Sequence, residues 1–131
     1  MSRTALVTGA SRGIGRAIAI ALGASGHRVA CGFANDADAA GETAAAIAGV
    51  GGEASAIRVD VADTTSVDAA FTEIEEAFGP VTILVNNAGV TADGLVARMS
   101  DEQWEKVLTT NLTGSFHTCL LYTSPSPRDR S

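Results

Sequence analysis

The chain has 131 residues, a length that suits one domain but not two ordinary ones. Hydrophobic residues make up 46% and charged residues 18%, which excludes a disordered chain and predicts a buried core. The net charge of −6 and the single lysine, Lys106, exclude a nucleic-acid-binding surface, because such surfaces cluster cations. Cys31 and Cys119 are too few for a disulfide framework. With no signal segment and no run of about 20 apolar residues, we expect a cytoplasmic protein that does not contact membranes.

Short apolar runs alternate with longer stretches of helical periodicity along most of the chain. Asp36 and Asp63 each precede a helical stretch and are predicted helix N-caps. Continuous apolar strands joined by helices imply a parallel sheet covered on both faces, and right-handed crossovers place the strands in the order 3-2-1-4. The predicted fold class is therefore α/β, a doubly wound, Rossmann-type parallel sheet. The predicted strands are 4–8, 28–33, 54–59 and 81–85, and the predicted helices are 13–25, 36–50 and 64–78.

A fourth helix is predicted after the fourth strand. Residues 100–103 resemble a capping box, and an apolar stripe at every fourth position follows. This helix contains Asn111. The sheet is expected to stop after this fourth βα unit, which would leave the apolar fourth strand as an uncovered edge and the chain poorly soluble. The apolar stripe of this predicted fourth helix consists of Trp104, Leu108, Leu112 and Phe116.

The residues from Cys119 onward do not continue the pattern. Helical periodicity stops, and the Ser-Pro repeat at 124–127 opposes a helix or a central strand. The stretch CLLYTSPSPRD resembles the in-frame translation of a sequencing adapter. We therefore expect an incomplete Rossmann-type domain at 1–118 and a non-native or disordered tail at 119–131. A genuine flexible tail is the alternative.

A glycine-rich turn, TGASRGIG at 8–15, joins the first strand to the first helix. Glycines in this position let the backbone approach a pyrophosphate, and the helix N-terminus supplies free N–H groups and a positive dipole end. The spacing is G-x-x-x-G-x-G and differs from the G-x-G-x-x-G dinucleotide fingerprint. A plain strand-to-helix turn is the alternative.

A second motif, NNAG at 86–89, directly follows the fourth strand, at the edge where open α/β sheets bind ligands. Together with TGASRGIG, Asp60-Val61 and Asn111, it resembles the short-chain dehydrogenase/reductase family. The resemblance covers residues 1–118, about the N-terminal half of a family member. The stretch 86–116 looks most like bacterial 3-oxoacyl-[acyl-carrier-protein] reductases.

The resemblance implies a role for each matching residue. Three glycines would shape the loop, neighbouring residues would contact the phosphates or the adenosine ribose, and the residues after the third strand would contact adenine. Asn111 would hold a water that links the catalytic lysine to solvent. The implied cofactor-binding residues are Gly9, Ser11, Arg12, Gly13, Ile14, Gly15, Asp60, Val61, Asn87, Ala88 and Gly89.

Cofactor choice is predicted from the end of the second strand. NAD enzymes usually place a carboxylate there to accept from the ribose hydroxyls, and it would repel a 2′-phosphate. This chain has Phe33 at that position, and Arg12 could fork onto a phosphate. NADP(H) is therefore the predicted cofactor. Asp36, three residues later, is interpreted as a helix cap, with a ribose contact as the alternative.

The resemblance implies NADPH-dependent reduction of a 3-oxoacyl group carried on acyl carrier protein, by a homotetrameric parent enzyme. The family's catalytic serine and Tyr-x-x-x-Lys are missing, since Tyr122 is followed by Ser126 at the fourth place. We therefore expect this polypeptide to lack turnover. His27 and His117 have no partners at metal-ligand spacing, so no metal is predicted. The alternatives are a family reductase with another carbonyl or alcohol substrate, such as a sugar, a steroid or a small alcohol, and a non-catalytic nucleotide-binding module.

Overall fold

The computed structural model describes residues 3–11, 13–87, 108–113 and 118–122. Over the first three strand–helix units, each element agrees with its sequence-predicted range to within about one residue at either end. The strands are β1 (Thr4–Thr8), β2 (Arg28–Phe33), β3 (Glu53–Arg58), β4 (Val81–Asn86), β5 (Leu108–Thr113) and β6 (Thr118–Tyr122). The helices are α1 (Gly13–Ala24), α2 (Ala37–Gly49) and α3 (Thr64–Phe78).

The described strands form one sheet in the order β3-β2-β1-β4-β5-β6. All pairs among β1 to β4 are parallel, which confirms the predicted order 3-2-1-4. These four strands therefore end at one edge of the sheet, called here the carboxyl edge. In a doubly wound sheet, ligands bind outside this edge where the strand order reverses, which in this chain is between β1 and β4.

The sheet is covered on both faces because its central strands are apolar on both faces. Leu6, Ala30 and Leu84 pack with α3, around the fully buried Phe71 and Ile74. The alternating residues of the same strands point the other way and pack with α1 and α2. The second set includes Val7, Val29, Cys31 and Val85, which pack with Ala19 of α1 and Ile47 of α2. The predicted doubly wound, Rossmann-type sheet is confirmed.

Both predicted N-caps are present. The Asp36 carboxylate accepts a hydrogen bond from the Ala39 amide at 3.0 Å, and the Asp63 carboxylate accepts one from the Thr65 amide at 3.0 Å. Each satisfies one of the amide groups that a helix leaves free in its first turn. The cap interpretation of Asp36 is therefore confirmed.

The predicted fourth helix is wrong over residues 108–113, which form β5, parallel to β4. The Leu108–Leu112 spacing fits a helix, but two leucines four positions apart also lie on one face of a strand, where side chains repeat every two residues. Three threonines in this segment favour extended backbone because they are branched at Cβ. Pairing with β4 also gives partners to the backbone groups along the edge of that strand, which a helix at 108–113 would leave unpaired.

The expectation that β4 is an uncovered edge is wrong for the same reason, since β5 pairs with Ile83–Asn86. Thr118–Tyr122, where we expected the tail to begin, form β6, antiparallel to β5. Trp104, Phe116 and the Ser-Pro repeat lie outside the described residues. Among the helices described, none is long and apolar enough to cross a bilayer.

Candidate functional site

The turn after β1 lies against the residue that follows β4. Gly9 has a φ of +66°, a left-handed conformation that L-residues with side chains rarely adopt. A Cβ on Gly9 would lie 2.9 Å from the Asn87 carbonyl oxygen. Glycine is therefore required at position 9 both by its dihedral angle and by the approach of a neighbouring backbone.

Gly15, in the first turn of α1, is packed still more closely, against Gly9 and Asn87. A Cβ there would overlap the Gly9 carbonyl oxygen and would lie 2.6 Å from Asn87 Nδ2. The helix N-terminus is thus packed directly onto the turn. By contrast, a Cβ on Gly13 meets nothing within 4 Å among the described residues, so the outer side of the turn is open.

A buried hydrogen-bond network joins the ends of β1 and β4. The Thr8 hydroxyl accepts from the Asn87 amide at 2.9 Å and donates to Asn86 Oδ1 at 3.1 Å, with the Val85 carbonyl at 3.4 Å as an alternative acceptor. Asn87 Nδ2 donates to the Gly9 carbonyl at 3.3 Å. Thr8 and Asn86 are 1% and 0% exposed, so this network is shielded from competing water.

The turn is also held from the α2 side. The Ala10 amide donates to the Gly32 carbonyl at 3.0 Å, and the Ala10 carbonyl accepts from the Thr43 hydroxyl at 2.9 Å. Thr43 is fully buried in α2. The backbone of the glycine-rich turn is therefore fixed by three neighbouring elements before any ligand binds.

The ends of β2 and β3 are more exposed. Phe33 is in register with Arg58, and the Phe33 carbonyl accepts from the Val59 amide at 2.8 Å. Arg58 is exposed, and its Nη1 donates to the Ala34 carbonyl at 3.1 Å. No carboxylate lies at residues 33–35, where an NAD-type acid would be expected.

Asp60, predicted to contact adenine, organises the turn after β3. Its Oδ1 accepts from the Ala62 amide at 3.0 Å, its amide donates to Ser66 Oγ at 2.8 Å, and its carbonyl accepts from the Asp63 amide at 3.0 Å. Val61 is half-buried, and its side chain packs against the α3 face of the core. These bonds make Asp60 part of the turn after β3, and the residue is exposed at the carboxyl edge.

The predicted site residues with described positions all lie at the carboxyl edge. Gly9, Ser11, Gly13, Ile14 and Gly15 form the turn and the start of α1, Asp60 and Val61 follow β3, and Asn87 follows β4. Arg12, Ala88 and Gly89 lie outside the described residues.

Asn111 lies in β5 and not in a helix, which corrects its predicted environment. It is nevertheless in register with Asn86, the last residue of β4, and so belongs to the same edge. The water-holding role that the resemblance implies for Asn111 stays a prediction.

Sequence reasoning missed three residues that the geometry brings into the site. Thr8 was included in a motif but assigned no role, although its hydroxyl joins β1 to Asn87. Thr43 is the only threonine in an alanine-rich helix, a weak signal for a buried contact. Arg58 is separated from Ala34 by 24 positions, and only the β2–β3 pairing brings them together.

Cys31 lies beneath this edge, fully buried in β2. Burial raises the pKa of its thiol from 9.0 to about 11, because desolvation disfavours the thiolate. This side chain is therefore a neutral core residue at physiological pH. Among the described residues, no cluster of histidine, cysteine and acidic side chains could hold a metal ion.

The turn can accept the pyrophosphate of a dinucleotide. Its backbone is fixed at Gly9 and Ala10, no other described residue comes within 4 Å of a Cβ placed on Gly13, and the amide groups of the 12-residue α1 begin there. A helix N-terminus stabilises anions through these free amides and the helix dipole. The overlap that a Cβ at Gly15 would cause shows that this close packing depends on glycine.

Comparison with known proteins is consistent with this geometry. Residues 3–125 match the family model for short chain dehydrogenases. The chain is 42% identical over 131 residues to the Staphylococcus aureus 3-oxoacyl-[acyl-carrier-protein] reductase FabG, covering all of this chain and 53% of that protein. It is 43% identical over 121 residues to the acetoacetyl-CoA reductase of Shinella zoogloeoides, covering 89% of this chain and 46% of that protein.

A solved structure is also similar. The landomycin C-6 ketoreductase LanV, determined with bound NADP and rabelomycin, is 44% identical and aligns with a TM-score of 0.61. The alignment covers 79% of this chain and 45% of LanV. The chain spans about half the length of these relatives. The family model covers most of its residues, and the chain therefore belongs to the short-chain dehydrogenase family, a family of oxidoreductases.

Proposed function

We propose that the protein represented by this chain is an NADP(H)-dependent reductase of 3-oxoacyl thioesters, with acyl carrier protein as the carrier. The supporting observation is the glycine turn at the β1–β4 reversal, held by Thr8, Thr43 and Asn87. The substrate class is supported by the relatives, which are named as 3-oxoacyl-[acyl-carrier-protein] and acetoacetyl-CoA reductases.

In this proposal, the nucleotide's pyrophosphate lies over Gly9, Ser11, Arg12, Gly13, Ile14 and Gly15. Asp60 and Val61 face the adenine, and Asn87, Ala88 and Gly89 face the nicotinamide ribose. Bound NADPH supplies the hydride for carbonyl reduction. The chain's own contribution is to bind and orient the nucleotide, because a fixed turn loses little conformational entropy when the ligand arrives.

The preference for NADP(H) is supported at the end of β2. Residues 33–35 are Phe-Ala-Asn, and the next acid, Asp36, has its carboxylate on the Ala39 amide. A carboxylate presented to the ribose would repel a 2′-phosphate, whereas a capping carboxylate is compensated by the helix dipole.

The polypeptide of 131 residues is expected to bind nucleotide without turnover. Its only tyrosine, Tyr122, and its only lysine, Lys106, do not form the family's Tyr-x-x-x-Lys pair. The tetrameric state, the cytoplasmic location and the non-native origin of residues 119–131 remain predictions. Sequencing of the intact locus beyond the Thr118 codon tests the last of these.

The decisive experiment titrates the chain with NADPH and NADH by nucleotide fluorescence and assays NADPH oxidation with an acetoacetyl thioester. We expect tighter NADPH binding and no turnover by the 131-residue chain. The protein completed from its locus should reduce the thioester. Tighter NADH binding would refute the cofactor assignment, and a completed protein without reductase activity would support a non-catalytic nucleotide-binding module.

A second substrate class is suggested by LanV, which is 44% identical to this chain and whose structure holds rabelomycin. A completed protein that reduces rabelomycin faster than acetoacetyl thioesters, at matched concentrations, would select that alternative. The cofactor prediction would be unchanged, because the nucleotide site lies in the residues described above.

A further inference from the structure

We propose that Arg58 determines cofactor choice by binding the 2′-phosphate of NADP(H). The inference rests on the proposed function, since it concerns the adenosine end of the same nucleotide site. In dinucleotide-binding sheets, the ribose 2′ position lies at the end of the second strand, where an acid selects NAD and an arginine accommodates NADP. In this chain the end of β2 carries no such acid.

The sheet brings Arg58 to this position from a different strand. Arg58 is the last residue of β3 and is in register with Phe33, the last residue of β2. Its Nη1 donates to the Ala34 carbonyl at 3.1 Å, so the guanidinium reaches across the end of β2. The side chain is exposed and can be approached by a ligand from solvent.

The Arg58 guanidinium has further N–H groups that can donate to a phosphate. It has five N–H donors, and the Ala34 carbonyl uses one of them. Among the described residues, no carboxylate forms an ion pair with it. The bond to Ala34 also restrains the side chain, so less rotamer entropy is lost when it forms a two-pronged contact with phosphate oxygens.

The neighbouring acids do not occupy this arginine. The Asp36 carboxylate accepts from the Ala39 amide at the N-terminus of α2, where the helix dipole offsets its charge. Asp60 Oδ1 accepts from the Ala62 amide within its own turn. Of the other arginines in the described part of the chain, Arg3 and Arg28 lie at the opposite edge of the sheet, and Arg16 lies in the first turn of α1, which follows β1 and not β2 or β3.

The test measures binding and needs no turnover. The chain is titrated with adenosine 2′,5′-bisphosphate, 5′-AMP, NADPH and NADH. Arg58→Met should weaken the bisphosphate and NADPH about tenfold, because a charge-assisted hydrogen bond is lost, and should leave 5′-AMP and NADH within about twofold. Arg3→Met is the matched control: it removes the same charge from an exposed arginine at the far edge and should leave all four affinities unchanged.

Two further variants keep the proposal falsifiable if Arg58→Met is unstable. Arg58→Lys retains the charge but not the fork, and should lose part of the preference for the bisphosphate. Arg58→Glu should reverse the preference toward NADH. Equal losses in Arg58→Met and Arg3→Met, or an undiminished NADPH preference in Arg58→Met, would overturn the role of Arg58. A wild-type chain that does not distinguish the bisphosphate from 5′-AMP would instead refute NADP(H) as the cofactor.

Discussion

The carboxyl edge contains two regions of different construction. The glycine-turn region (Thr8, Gly9, Gly15, Asn86 and Asn87) is closely packed, and its polar groups are paired with one another. The strand-end region (Phe33, Ala34, Asp36, Arg58 and Asp60) is more open to solvent, and its side chains bond to nearby backbone. The first region therefore constrains which residues can be present at all. The second can change its residues without disturbing the core, which suits a region that selects between related ligands.

The largest effect is expected in the glycine-turn region. Gly15→Ala places a methyl group on the Gly9 carbonyl oxygen, which belongs to backbone and cannot swing aside. We expect the free energy of unfolding to fall by about 3 kcal/mol, the upper range for an overpacked site. Urea denaturation followed by circular dichroism measures this change.

Gly41→Ala is the matched control for that variant. Gly41 lies inside α2, and a Cβ there meets nothing within 4 Å among the described residues. Alanine should stabilise the helix by roughly 0.5–1 kcal/mol, since glycine loses more backbone entropy on folding. Equal effects of the two variants would show that the turn is not packed as described.

Thr8→Val tests the hydrogen bonds of the same region with little change in shape. The Asn87 amide would lose its acceptor in a buried setting, which should cost about 2 kcal/mol of unfolding free energy. Thr72→Val, on the exposed face of α3, removes a hydroxyl that donates to the Asp68 carbonyl within its own helix and should change stability by less than about 0.5 kcal/mol. A neutral Thr8→Val would contradict the network.

The titration of Cys31 measures how far solvent reaches along β2 from the strand-end region. Its pKa is raised from 9.0 to about 11, so the folded state favours the neutral thiol. This contribution to the free energy of unfolding is fully present below pH 9 and is lost as the pH rises through about 11. The loss should reach about 2 kcal/mol near pH 10.5, because the unfolded thiol ionises first.

Cys31→Ala should remove this slope from the pH dependence of the unfolding free energy. The difference between wild type and variant isolates this group from other side chains that titrate in the same range. Equal slopes would mean that water reaches the thiol, and that the open region extends two residues further along β2 than the burial of Cys31 indicates.

The smallest effect is expected at Asp36. Asp36→Ala should cost about 1 kcal/mol by removing the cap of α2, as Asp63→Ala should for α3. Asp36→Ser preserves a capping oxygen and should be close to neutral in stability and in nucleotide binding. Loss of nucleotide affinity in Asp36→Ser, with stability retained, would assign this side chain to the ribose.

The segment 108–113 shows where sequence reasoning reached its limit. Its apolar spacing fits both a four-residue helical period and a two-residue strand period, so periodicity alone could not decide. The deciding partner is the edge of β4, more than 20 residues earlier in the chain. The predicted helix failed because strand pairing is a long-range interaction that a local pattern does not contain.

The sequence by itself determined the first three strand–helix units, β4, the caps at Asp36 and Asp63, and the glycine turn, because these depend on local periodicity, capping chemistry and dihedral preference. Only the tertiary structure decided that Thr8 meets Asn87, that Thr43 holds Ala10, and that Arg58 reaches Ala34. Each of these contacts joins residues 24 to 79 positions apart, and parallel pairing brings them to one edge. Their chemistry is visible in the residue types, but their proximity is a property of the sheet.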